Sequence, residues 1–249
     1  MTTSFSGTTA LVTGATSGIG RVVAGKLAER GAHVIITGRN PERGEQAVKE
    51  IRAAGGTADF VATDLADLTS VRALAKQAIT LGGGHVDVLI NNAGQFPFGP
   101  TADTSEADFE NVYAINVRAP FYLVAELAPA MAARGHGAIV NVSTMVAKLG
   151  MAGMALYGSS KAALELMTKA WAAEFGGSGV RVNAVSPGPT RTEGTSGMAD
   201  GLDQLAAAAP ANRVGTPDEI AESILFLASD AASLIHGVVL PVDGGRVAV

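Results

Sequence analysis

Short apolar runs alternate with longer amphipathic stretches along the whole 249-residue chain. Ala10-Leu-Val-Thr13, Val34-Ile-Ile-Thr37, Phe60-Val61, Val86-Asp-Val-Leu-Ile90, Ala138-Ile-Val-Asn-Val142, Val180-Arg-Val-Asn-Ala-Val185 and Gly237-Val-Val-Leu-Pro-Val242 are rich in β-branched and aliphatic residues. Runs this apolar are what strands covered on both faces require, so the pattern predicts a parallel sheet. Helical periodicity covers 18–30, 41–54, 67–81, 106–133, 158–176 and 217–228. Asn40-Pro41 and Thr216-Pro217 read as N-cap/N1 pairs, and Gly31 and Gly176 as C-terminal stops. The alternation predicts right-handed βαβ units and an α/β fold: one doubly wound Rossmann domain, with a mostly parallel seven-stranded sheet flanked by helices. No linker, composition break or repeat divides residues 1–249. The segment 188–213 has no strand pattern, and a connection that long is expected to be a flap over substrate.

Composition narrows the picture. With 47% hydrophobic and 16% charged residues, the chain is expected to fold around a substantial core. A formal charge of −5 without a run of five like charges argues against a nucleic-acid partner. The absence of cysteine removes disulfides, thiolate nucleophiles and zinc–thiolate sites, and fits a reducing cytoplasm. The start, Met1-Thr-Thr-Ser-Phe-Ser-Gly7, lacks the pattern of a secretory signal, and no window approaches the ~20 apolar residues of a membrane span. A cytoplasmic protein without membrane contact is expected. His33, His85, His136 and His236 are isolated, so no metal is expected.

Two motifs carry chemistry. Thr13-Gly-Ala-Thr-Ser-Gly18-Ile-Gly20 follows the first strand and opens the first helix, where a dinucleotide needs a tight turn, close backbone approach and helix N–H groups. Its GxxxGxG spacing is neither GxGxxG nor a P-loop, and the string alone serves equally as an ordinary βα turn. Tyr157-Gly-Ser-Ser-Lys161 places a phenol and an ammonium on one helix face. A free phenol titrates near ~10, and a neighbouring positive charge lowers that value towards useful acid–base catalysis. Alone, a core Tyr with a surface Lys is the default arrangement. Together the motifs point to a nicotinamide-dependent oxidoreductase acting on a carbonyl or secondary alcohol.

Thr13-Gly14-xxx-Gly18-x-Gly20, Asn91-Asn-Ala-Gly94, Asn116, Tyr157-xxx-Lys161 and Pro187-Gly188, in this order, resemble the motifs of short-chain dehydrogenases/reductases. The likeness extends over essentially the whole chain, including Ala228-Ser-Asp-Ala-Ala-Ser233 and Leu240-Pro-Val-Asp-Gly-Gly245. It implies a cofactor held by Gly14, Thr16, Ser17, Gly18, Ile19 and Gly20, then by Arg39 and Asn40. It further implies Asp64 and Leu65 at the adenine, Asn91, Ala93 and Gly94 along the middle, and Tyr157 and Lys161 at the nicotinamide ribose. Pro187, Gly188, Thr190 and Thr192 would surround the carboxamide end. Read alone, Asp64 is better explained as a helix-capping residue near Asp67. Asn116 is implied as a fourth catalytic member that opens its helix so that water links it to Lys161; a buried Asn satisfied by backbone is nearly the same physical statement. A homotetramer is implied as well, with helices 106–133 and 158–176 and the last strand in its interfaces.

The family's NAD users carry an acidic residue at the end of the second strand, a position held here by Gly38, followed by Arg39 with its forked donors. NADP(H) is therefore expected, while Ser17, where a basic residue often precedes Gly18, leaves NAD(H) open. The family places a Ser thirteen positions before the Tyr; here that is Thr144, with Ser143 before it. Thr144 is expected to grip the substrate oxygen, with Ser143 the alternative, because neighbours at a strand end point to opposite sides. Met145, Val146, Leu149, Met151, Met154 and Gln95-Phe-Pro-Phe98 give an apolar lining, which suits a carbonyl reductase acting on an apolar ketone. One rival is a 3-oxoacyl-acyl-carrier-protein reductase. Gly135 and Ser178 stand where such enzymes carry basic residues, although Arg134 and Arg181 lie nearby. The other is a non-catalytic NADP(H)-binding regulator, for which only Thr144 speaks.

Overall fold

β1 (Thr9–Thr13), β2 (His33–Gly38), β3 (Thr57–Ala62), β4 (Val88–Asn91), β5 (Gly137–Val142), β6 (Val180–Pro187) and β7 (Val239–Val242) form one sheet in the order β3-β2-β1-β4-β5-β6-β7. Every pairing in it is parallel. These features come from a computed structural model that describes residues 4–198 and 200–249.

Apolarity on both sides of each strand has a direct packing consequence. Ala10, Val12, Val34 and Ile36 join Val23 and Leu27 of α1 (Gly18–Glu29), Val48 of α2 (Pro41–Ala53) and Ile224 of α8 (Pro217–Ala228) in one core. Their strand neighbours Leu11, Ile35, Leu89 and Ile139 join Leu74 of α3 (Leu68–Leu81), Leu123 of α5 (Ala119–Arg134) and Leu164 of α6 (Ala155–Phe175) in the other. Successive residues thus feed opposite helical layers, the arrangement that continuous apolar runs require.

The caps follow the chemistry of their residues. Asn40 accepts the N–H of Arg43 ahead of Pro41, and Thr216 forms a reciprocal capping box with Glu219. Gly31 turns left-handed just past α1, as expected. Gly176 differs: it keeps a helical conformation (φ −60°, ψ −42°), and the left-handed turn falls at Gly179. β3 begins three residues before Phe60, because Thr57-Ala-Asp pairs with β2 despite its polarity. The helical run expected at 106–133 is α4 (Glu106–Tyr113), a π-helical turn at Ala114–Arg118, and α5. Segment 188–213 holds a 3-10 turn (Glu193–Met198) and α7 (Asp200–Ala207).

The chain moves outward from β1 to β2 and β3, then returns to add β4 on the other side, and a crevice opens where the two directions part. The Asn92 side-chain amide bridges that point, donating to the carbonyls of Thr13 (2.8 Å) and Gly14 (3.1 Å). The Thr13 hydroxyl accepts the N–H groups of Asn92 and Ala93, both at 3.0 Å. A Cβ on Gly20 would strike the Asn92 amide and lie 2.5 Å from the Gly14 oxygen. Gly20→Ala is therefore expected to cost roughly 1–3 kcal/mol, read as a lower denaturant midpoint at unchanged m. Gly25→Ala, on the same helix but facing open space, should shift the midpoint the other way by about 0.5–1 kcal/mol.

Candidate active site

A cleft of about 430 Å³ runs along the carboxyl ends of the strands. At one end lies the turn after β1, where Gly14 (φ +63°) and Gly18 (φ +54°) adopt backbone that other residues resist. Ser17 makes no side-chain cap bond, which leaves the first N–H groups of α1 for a ligand. Thr16, Ser17, Gly18 and Ile19 line this end, whereas Gly20 lies behind it, giving room to Asn92. A Cβ on Gly38 would come within 2.6 Å of Thr16 Cγ2, so no larger side chain fits there unless Thr16 moves. Arg39 lines the same end and forms no ion pair among the described residues. Leu65 lines the cleft with Thr63. Two expected residues do not: Asn40 is spent on capping α2, and the exposed Asp64 carboxylate accepts the N–H of Ala66 at 2.9 Å. The capping reading of Asp64 does not hold either: its side chain closes a local turn two residues on, and α3 is capped by Asp67.

Midway, Ala93 and Gly94 line the cleft, but Asn91 does not. The Asn91 amide donates to Asn141 Oδ1 (2.8 Å), and Asn141 donates to Thr168 of α6 (2.8 Å), a buried ladder beneath the cleft floor. Asn92 takes the exposed place; the side-to-side alternation of a strand end was the available signal for it. Asn116 is also out of the cleft. Its position in the π-turn lets its side chain clamp the loop after β4, accepting the Gln95 N–H and donating to the Gln95 carbonyl, both at 2.8 Å. It also donates to Ser160 Oγ at 3.0 Å. A Cβ on Gly94 would lie 3.2 Å from Lys161 Nζ and 3.4 Å from Asn116 Oδ1, so glycine lets this loop pass between them.

Tyr157 and Lys161 line the far end from one face of α6. Burial pushes the phenol up to about 12, and the nearby Thr144 side chain acts against that rise. The expected lowering by Lys161 is not met in this arrangement: loss of water dominates, and the Lys161 ammonium is directed at the Val142 carbonyl, 2.8 Å away. The two hydroxyls after β5 part company. Both line the cleft, but Ser143 donates to the buried Glu165 carboxylate at 2.7 Å, while the Thr144 hydroxyl, near the phenol, only accepts the Val146 N–H at 3.4 Å.

Pro187, Gly188, Thr190 and Thr192 complete the wall beside this group. Beyond Tyr157 the surface is apolar, with Phe96, Met145, Met151, Met154, Met198 and Leu202 lining it. Phe96 stands edge-on to Tyr157 with ring centroids 6.1 Å apart. Leu149 and Phe98 fall outside; Phe98 is 73% exposed. Among the described residues no group of three or more His, Cys, Asp or Glu could hold a metal ion, and no helix is long and apolar enough to cross a membrane.

The sequence model of the family described as enoyl-(acyl carrier protein) reductase matches residues 14–246. The cis-4-hydroxycyclohexanecarboxylate dehydrogenase of Sinomonas cyclohexanicum is 41% identical, over 96% of this chain and 96% of its own. A solved short chain dehydrogenase/reductase family protein is 51% identical with a TM-score of 0.90, covering 98% of this chain and 99% of its own. The gluconate 5-dehydrogenase of Burkholderia cenocepacia J2315, solved in complex with NADP and tartrate, is 32% identical with a TM-score of 0.92, covering 99% and 97%.

Lys161, only 3% exposed, has a thermodynamic signature of its own. Burial pulls its ammonium down to about 8 from 10.5, so between those values the unfolded chain binds more protons than the folded one. The resulting penalty on stability is complete below about pH 8 and lifts as the pH rises towards 10. Tyr157, raised from 10 to about 12, acts only above that window. Wild-type stability, measured by denaturant unfolding, is expected to gain a component between about pH 8 and pH 9.5 that Lys161→Met lacks. Parallel pH profiles for the two proteins would contradict the buried charge.

Proposed function

Since the chain belongs to the short-chain dehydrogenase/reductase family, oxidoreductases acting on alcohol groups, we propose that it transfers hydride reversibly between NADP(H) and an apolar ketone or secondary alcohol. The observation that carries this reading is the meeting of Thr144, Tyr157 and Lys161 on one wall of a cleft whose other end is the turn around Gly14 and Gly18. When bound, the cofactor supplies or accepts hydride at the carbonyl carbon. In reduction Tyr157 gives its proton to the carbonyl oxygen, and in oxidation it takes that proton back. The Thr144 hydroxyl donates to the same oxygen and orients it. Lys161 spends one of its three donors on Val142 and offers the others to the nicotinamide ribose.

NADP(H) is favoured over NAD(H) because Thr16 occupies the space an acid at position 38 would need, while Arg39 is left for a phosphate. The methionine-rich wall suits an apolar substrate, and the Sinomonas relative, named for a hydroxycyclohexanecarboxylate, favours a ring-shaped one. The acyl-carrier reading is weaker. Arg134 is tied to Val86 and Asp87, and Arg181 is buried with its guanidinium on the carbonyls of Leu227 and Ala228. Neither is left to dock an acidic carrier. The setting we propose is cytoplasmic, which the absence of cysteine fits, and the assembly a homotetramer, for whose interfaces Phe109, Phe121 and Leu166, exposed on α4, α5 and α6, offer apolar surface.

The test is turnover of NADPH against apolar ketones, keto-esters and acyl-thioesters. Tyr157→Phe is expected to lower turnover by about 10²–10⁴-fold, with a far smaller effect on NADPH binding followed by fluorescence. Thr144→Val should reduce turnover strongly and Ser143→Ala weakly. Full turnover in Tyr157→Phe would overturn the reading. NADPH binding without turnover of any substrate class would favour the regulatory alternative.

A further inference from the structure

Arg43, in the first turn of α2, reaches back to the turn after β1 at the edge of the cleft. Its guanidinium donates to the carbonyl of Thr16 at 3.4 Å and forms an ion pair with Glu193, the residue that opens the 3-10 turn of segment 188–213. Thr16 is also the residue whose side chain lies against Gly38, at the strand end beside which the ribose hydroxyls belong in a doubly wound dinucleotide site. Arg43 does not itself line the cleft, but its bond to the Thr16 carbonyl sets it at the edge of the end that Thr16 and Arg39 line, where a 2′-phosphate would lie. Its carboxylate partner comes from the flap, 150 residues away in the chain.

The ion pair has little value as a brace. Its side chains are 47% and 63% exposed, and pairs in that much solvent contribute little to stability. What it does is hold a negative charge on a cation that lies where a negatively charged ligand group would arrive.

We infer that Glu193 is a specificity-determining residue for the cofactor. Its carboxylate stands in for the 2′-phosphate on Arg43, and NADP(H) must displace it while NAD(H) need not. Displacement frees the flap from α2, so the two cofactors leave the flap differently tethered. The like charge of Glu193 and the phosphate weakens NADP(H) binding and narrows its lead over NAD(H). This inference rests on the NADP(H) reading of the cleft.

Equilibrium fluorescence titrations of the full chain with NADPH and with NADH test it without requiring a substrate. Glu193→Gln is expected to tighten NADPH binding about three- to tenfold, the scale of one like charge removed near a surface phosphate, and to leave NADH unchanged. Arg43→Ala should weaken NADPH binding and, combined with Glu193→Gln, erase most of that gain. Equal shifts for both cofactors, no shift for NADPH, or a gain that persists in full without Arg43 would each overturn the inference. Failure of the wild-type chain to bind NADPH would overturn the parent reading and this one together; binding without the Glu193→Gln difference would overturn this one alone.

Discussion

The Asn92 amide fastens the turn after β1 to the turn after β4 through the carbonyls of Thr13 and Gly14, at the point where the sheet's connections part. The contact is possible only because Gly20 has no side chain to fill the space that the amide takes. From it follow both halves of the cleft. One is the glycine turn with its uncapped helix start; the other is the loop from Ala93 to Gln95, which passes Lys161 at glycine distance and is then gripped by Asn116. Each half uses backbone groups at a fixed place, and the two halves are joined by the Asn92 amide together with the Thr13 hydroxyl.

At the other end, burial rather than charge sets the chemistry. Lys161 and Tyr157 are both pushed towards their neutral forms, and the groups that answer them are a carbonyl, Val142, and a hydroxyl, Thr144. The neighbouring Ser143 lines the cleft too, but its hydroxyl is committed to Glu165, so the two adjacent hydroxyls are not interchangeable. A site poised against its own solvation responds strongly to whatever brings charge into it, because each added interaction acts at low dielectric.

Much of this was legible in the sequence. The near-continuous apolar runs specified a parallel sheet with two cores, and Asn40-Pro41 and Thr216-Pro217 marked real helix starts. Gly14, Gly18, Tyr157 and Lys161 were readable because their spacing alone puts them on a turn and on one helix face. What stayed hidden depended on side-chain direction. Asn91 and Asn92 are identical in the sequence, yet one joins a ladder under the floor and the other holds the cleft together. Asp64 and Asn40 are consumed by local backbone donors that pattern does not rank against a distant ligand. The phenol's raised pKa reflects desolvation, which no spacing rule contains, and the pairing of Arg43 with Glu193 is a contact across 150 residues.

The lining of the cleft falls into two mechanical classes. The glycine turn and the Tyr157 and Lys161 wall rest on strand ends and helices embedded in two cores, whereas the apolar wall comes largely from the loop at Phe96, the turn around Met151 and Met154, and the segment carrying Met198 and Leu202. Loops tolerate replacement that a packed sheet does not. The architecture thereby lets two properties vary separately: the placement of Tyr157, Lys161 and the glycine turn is held by the interior, while the shape of the apolar wall is free to change at the rim. Relatives of comparable similarity, one named for a hydroxycyclohexanecarboxylate and one for gluconate, are what such a division of labour produces over time.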